Sequence, residues 1–103
     1  MEYGFNFRLY EKDFTDCFIH YSMYGDGKLK LSLFGAEKGS DMVEHFADIT
    51  LENNKLKLSE DEIVVDDRFK SNFVEQLTKL GILKEKVSDC IIRGFKYPIH
   101  KVK

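Results

Sequence analysis

The sequence predicts an α+β fold: a mostly antiparallel sheet built from hairpins, with one amphipathic helix over about 67–80 packed on one face. Three observations carry this. Apolar residues alternate strictly with polar ones in the first segment, and alternate positions stay apolar from Cys17 to Met23 and from Leu29 to Leu33, the period of a half-buried strand. Turn-forming pairs and triplets, Gly25-Asp26-Gly27 and Asn53-Asn54, separate the apolar runs. Only one segment shows a 3.6-residue period. The 103 residues suit a single domain spanning 1–103.

The elements follow in order. Tyr3, Phe5, Phe7 and Leu9 alternate with Gly4, Asn6 and Arg8 as a first strand, and Glu11-Lys12-Asp13 is a charged turn. Cys17, Ile19, Tyr21 and Met23 continue the alternation up to Gly25-Asp26-Gly27, where glycine supplies the positive φ of a short hairpin loop. Pairing Tyr24 with Lys28 sets Met23 opposite Leu29, Tyr21 opposite Leu31 and Ile19 opposite Leu33. Register is then specified by apolar pairs on one face. The other face carries Tyr24, Ser22 and His20 beside Lys28, Lys30 and Ser32.

After a loop over 35–41, a second hairpin is expected, with 46–52 and 55–58 flanking Asn53-Asn54. Ile63-Val64-Val65 reads as a short strand. Asp66 or Asp67 is placed to cap the helix, in which Phe69, Phe73, Leu77 and Leu80 share a face. Glu75 and Lys79 stand four apart in the favourable order. Gly81 is a left-handed stop, with Ile82 returning onto Leu77. Residues 87–95 and 97–102 read as one or two strands, with Pro98 at an edge or kink.

Composition narrows the function classes. A net charge of -2 argues against a dedicated DNA-binding domain. No apolar run approaches the roughly 20 residues of a membrane span, and the acidic start is unlike a signal peptide. Cys17 and Cys90, each in an apolar stretch, read as buried thiols in the cytoplasm, with a Cys17–Cys90 disulfide as the minority alternative. No phosphate-binding glycine loop, nucleophile elbow or dinucleotide fingerprint is present, so a non-enzymatic protein is expected. His20, His45 and His100 lack metal-ligand spacing, and no cofactor is expected. Phe18, Phe34 and Phe46 fall on the face away from the leucines and need a cover, either internal or a partner protein.

Charge is uneven along the chain. Residues 1–67 hold 7 basic and 15 acidic side chains, net -8; residues 68–103 hold 9 basic and 3 acidic, net +6. Opposite charges concentrated on different surfaces steer association. The acidic candidates for a protein contact are Glu37, Asp41, Glu44, Glu60, Asp61 and Glu62. The basic candidates for a nucleic-acid contact are Lys28, Lys30, Arg93, Lys96, Lys101 and Lys103.

Several stretches also carry a resemblance. Phe46-Ala47-Asp48-Ile49-Thr50-Leu51, Ile63-Val64-Val65-Asp66-Asp67, the helix ending Leu80-Gly81-Ile82, and Gly94-Phe95-Lys96-Tyr97-Pro98 together resemble an uncharacterised family of short proteins. That family is carried by plasmids, conjugative elements and phages of low-GC bacteria. The similarity covers roughly residues 25–103. It implies accessory cargo of a mobile element, a setting in which small acidic proteins are often anti-CRISPR or anti-restriction inhibitors; that association is one of class. The expectation is therefore a protein-binding module that uses its acids against a basic groove of a nucleic-acid-targeting defence effector. A homodimer is a further partner class, and a nucleic-acid-binding accessory protein and a small enzyme are the alternatives.

Overall fold

The computed structural model describes residues 4–53 and 55–102. Seven strands and one helix follow the chain: β1 Phe5–Leu9, β2 Lys12–Met23, β3 Leu29–Glu37, β4 Val43–Asp48, β5 Glu62–Val64, α1 Phe73–Lys79, β6 Lys86–Ile92 and β7 Phe95–Lys101. β1-β2-β3-β4 form one antiparallel sheet and β5-β7-β6 another. The α+β class is as the alternation and the single helical period require.

Residues 49–51 join the two sheets. Ile49 donates its N–H to Leu31 O (2.9 Å) and accepts from Asp66 N–H (2.8 Å), while Leu51 donates to Val64 O (3.0 Å). Thr50, buried at this seam, accepts from Leu31 N–H through Oγ1 (3.2 Å) and meets the Tyr24 hydroxyl at 3.0 Å. The main core lies between the four-stranded sheet and α1, built from Phe7, Leu9, Phe14, Leu31, Leu33, Ile49, Ile63, Phe73 and Leu77 among others. A smaller cluster of Val64, Cys90, Tyr97 and Ile99 sits on the second sheet.

The first hairpin has the register its apolar pairs demand. Met23 faces Leu29, Tyr21 faces Leu31 and Ile19 faces Leu33. Gly27, at φ 84, donates to Tyr24 O (2.9 Å) and closes the loop. A bulge between Thr15 and Phe18, with Asp16 at φ 53, brings Phe14 to the same side as Cys17 and Ile19. A second irregularity, where β3 meets β4 at Leu33/Phe34, turns Phe46 inward. Phe46 then stacks on Phe14, ring centroids 3.9 Å apart. Gly35, on the strand between them, makes room: a Cβ there would lie 2.6 Å from Cys17 Sγ and 3.2 Å from Phe46 Cε1.

Four expectations need correction. The helix starts at Phe73, not near 67, because Phe69 (φ 62) and Asn72 (φ 58) take left-handed conformations that interrupt a helix. Asp66 and Asp67 therefore cap nothing; Asn72 is the N-cap and makes no side-chain cap bond. Second, among the described residues no hairpin forms around Asn53. Asn53 Oδ1 instead accepts from Lys55 and Leu56 N–H in a local turn, and Leu51, Leu56 and Leu58 pack on the smaller cluster; Asn54 lies outside the described residues. Third, Phe46 is a core side chain and not part of the exposed face. Fourth, Pro98 sits in β7, the central strand of its sheet; its carbonyl accepts from Val65 N–H (2.9 Å), just beyond the end of β5.

The helix ends as expected. Ile82 N–H bonds Leu77 O (3.0 Å) and Gly81 N–H, at φ 77, bonds Thr78 O (3.0 Å), the two bonds of a Schellman ending. The 87–102 segment resolves into two strands, joined at Arg93 (φ 53) and Gly94 (φ 83).

Candidate functional site

The loop between β5 and α1 displays an aromatic. Lys70, its side chain only 8% exposed, pins that loop by donating from Nζ to Asp48 O (3.1 Å) and Asp66 O (2.8 Å), with Asp66 Oδ2 at 3.3 Å. Lys70 N–H also bonds Asp67 O (3.1 Å). With Lys70 held inward, the residue before it is turned out. Phe69 is 81% exposed at φ 62. A bulky side chain in that conformation is a genuine outlier. The Arg68 guanidinium lies 4.6 Å from the Phe69 ring centroid and 3.3 Å from that of Phe95 at the start of β7. Arg68 is thus shared between two aromatic rings, one on each of two elements.

β6 lies at the end of its sheet. It is exposed along most of its length, with Ile91 at 66%. Lys86 Nζ pairs with Asp89 Oδ1 at 2.9 Å, holding the Asp89 carboxyl below its ordinary pKa.

The outer face of the four-stranded sheet is a different surface. Phe18 and Phe34 stack at 5.5 Å, and Phe34 has His20 at 5.9 Å and His45 at 5.4 Å. Both phenylalanines are half-buried by their neighbours, and both histidines are exposed. Asp48 accepts from His45 Nε2 (2.9 Å) and Ser32 Oγ (3.0 Å) through the same oxygen. Burial raises its pKa, but these bonds outweigh burial and the carboxyl ends below its usual range. Ser, His and Asp meet here, yet Asp48 bridges the other two. A nucleophilic serine needs the histidine as its own base, so this arrangement ties β3 to β4 and leaves Ser32 unactivated.

The acidic candidates separate. Glu37, Asp41 and Glu44 lie at the β3–β4 end of the large sheet, whereas Glu60 and Glu62 line a groove with Asp26, Gly27 and Lys28 at the other end. The length of β3 sets these ends roughly 27 Å apart. Some of the charge is also matched internally. Glu37 pairs with Lys12 (3.3 Å) and Asp61 with Lys101 (3.9 Å), and Glu62 accepts from Ser59 N–H (3.0 Å). Of these, only Asp61–Lys101 joins the acidic first part of the chain to the basic last part.

The basic candidates divide between the two sheets. Lys28 donates to Asn53 O and pairs with Asp26 at 3.5 Å. Lys30 sits over the Tyr24 ring at 5.5 Å on the outer sheet face. Arg93 and Lys96 are exposed at the β6–β7 turn; Lys101 meets Asp61; Lys103 lies outside the described residues. Cys17 and Cys90 are free and buried. Among the described residues, no group of three or more His, Cys, Asp or Glu could hold a metal ion, and no helix is long and apolar enough to cross a membrane. Comparison with protein-family models, curated proteins and solved structures finds no match.

Sequence reasoning did not find Arg68 and Phe69. The 3.6 period assigned Phe69 to the helix core. A signal was present in Ser71-Asn72, since Asn favours both left-handed turns and helix caps, and it moves the helix start past Phe69.

Proposed function

We propose that the chain is a non-enzymatic protein-binding module whose contact is centred on Phe69, Arg68 and Phe95. One observation carries this reading: Phe69 is 81% exposed while held at φ 62. Left-handed backbone costs a residue with a side chain roughly 1–2 kcal/mol, and no burial of the ring offsets it. Strain of this kind points to function. Aromatic and Arg side chains are also the residue types that dominate binding energy at protein interfaces. An inhibitor role in a mobile-element setting rests on the family resemblance and not on these side chains.

The test uses Phe69→Gly, which removes the ring and relieves the backbone. A partner captured from host lysate by the wild-type chain is lost with Phe69→Gly and with Arg68→Ala. Thermal unfolding of Phe69→Gly stays at or above the wild-type midpoint. Capture that survives both substitutions refutes this surface as the contact.

The stacked Phe18–Phe34 pair on an uncovered sheet face, with Lys30 on the same face, supports a second reading: stacking of single-stranded nucleic acid. A gel shift at physiological salt that is abolished by Phe34→Ala and Lys30→Ala would favour it over the first.

A further inference from the structure

We infer that the outer edge of β6 takes up an extended, acidic segment of a partner protein as an added antiparallel or parallel strand. The inference rests on the protein-binding reading above and names the partner's chemistry.

The backbone leads to it. β6 pairs with β7 on one side, and among the described residues nothing pairs with it on the other. The two-residue turn Arg93-Gly94 makes Ile92 and Phe95 the closing, hydrogen-bonded pair of the hairpin. Bonding alternates along an antiparallel strand. Cys90 therefore also points its backbone groups at β7, and the N–H and C=O of Asp89 and Ile91 point outward. From Ser88 to Ile92 the register runs unbroken, so these outward groups lie on a regular strand. The guards common on such edges, a bulge and charged side chains, are confined to the start of β6 and to Asp89: the bulge lies between Lys86 and Ser88.

The edge of β1, by contrast, is closed. At β1, the Gln76 side-chain amide donates to Arg8 O (2.7 Å) and accepts from Arg8 N–H (2.9 Å), occupying the groups a further strand would use. At β4 a bulge breaks the register with β3 at Leu33/Phe34 and Lys70 caps Asp48 O at the strand's end; among the described residues nothing else pairs with its outer edge.

Charge selects the occupant. Residues 84–96 carry Lys84, Lys86, Arg93 and Lys96 against Glu85 and Asp89, and Asp89 is already matched by Lys86 at 2.9 Å. Lys96 lies opposite the exposed Ile91. An acidic strand with apolar alternate residues would meet cations at the rim and Ile91 between them. A second copy of β6 would bring the same excess of cations against itself.

The test is amide hydrogen exchange with a defined probe, a capped peptide of alternating Glu and Val, against its Lys–Val counterpart. The Glu–Val peptide is expected to slow exchange at Asp89 and Ile91 and not at the already bonded Cys90. Lys84→Glu with Lys96→Glu is expected to weaken it about tenfold, the scale of losing a pair of rim charges. Ile91→Pro removes one outward N–H while leaving the β7 ladder intact, and it is expected to abolish binding with the fold preserved by circular dichroism. Equal protection by the Lys–Val peptide, protection by neither peptide, or slowing of the same amides by self-association without peptide overturns the inference. A lysate partner lost with Phe69→Gly but retained by Ile91→Pro would leave the protein-binding reading standing and remove β6 from it. Peptide protection at β6 with capture unaffected by Phe69→Gly would do the reverse.

Discussion

Two aromatic regions of this chain obey opposite rules. Around Gly35, Phe14 stacks on Phe46, Phe46 meets Phe7 and Phe7 meets Phe73, all turned inward, and the adjoining edge strand β1 is closed by Gln76. Around the β6–β7 turn, Phe69 and Phe95 stand outward with Arg68 between their rings, and the adjoining edge strand β6 is open. The first region gains dispersion and burial from every ring. The second region keeps a ring in water on a strained backbone. Stability accounts for the first arrangement. It does not account for the second, and the binding proposal rests on that difference.

The contrast can be broken at its inner end first. Gly35→Ala drives a methyl group into Cys17 Sγ and Phe46. It is expected to cost about 2–3 kcal/mol, the upper range of core overpacking, read from the denaturant midpoint at constant slope. A loss below about 0.5 kcal/mol, the level of an ordinary surface change, would show that the inner stack is loose. Gln76→Ala removes both bonds to Arg8 and opens β1 as an edge. An expected loss of about 1–2 kcal/mol follows from two hydrogen bonds, with faster exchange of the Arg8 amide.

A pH effect comes next. Burial, with Asp16 nearby, raises the Cys17 thiol from 9.0 to about 11. The folded chain thus holds its proton where the unfolded chain has released it. Stability from this group is complete below pH 9 and is lost as pH rises towards 11. Cys17→Ala should flatten that alkaline fall in unfolding midpoints, whatever its own packing cost at neutral pH. The smallest stability change belongs to the outer end. Phe69→Gly trades relief of left-handed strain against added chain entropy, giving a net change between zero and about 1 kcal/mol of stabilisation. A clear destabilisation would mean that Phe69 is held by contacts like those of the inner set, and the comparison would fail.

Much of the fold was legible from local pattern. The 19/33, 21/31 and 23/29 pairs followed from alternation plus a glycine-bearing loop, because a half-buried strand tolerates only one parity. Gly81 and Ile82 specified the helix end through backbone conformation alone. The second hairpin failed for a tertiary reason. Ile49 and Leu51 have the alternation of a hairpin arm, but their backbone groups are taken by Leu31, Asp66 and Val64, leaving residues 55–58 no strand to pair with. Phe46 failed because a bulge reverses parity, and no residue type announces a bulge at that point.

The candidate site was less legible than the fold. Counting charges placed six acids on one expected surface, but linear proximity carries no information about which end of a sheet a loop occupies. Side-chain parity and glycine's freedom at positive φ suffice for the strand-rich α+β class, the first hairpin's register and the helix stop. Where the acids lie, that β1 is closed, and which aromatic is turned out emerge only from contacts across the fold. Those outcomes depend on long-range hydrogen bonds: Gln76 to Arg8, Lys70 to Asp48, and Ile49 to Leu31. Their partners are distant in the chain, and they are chosen by the packing of the whole molecule.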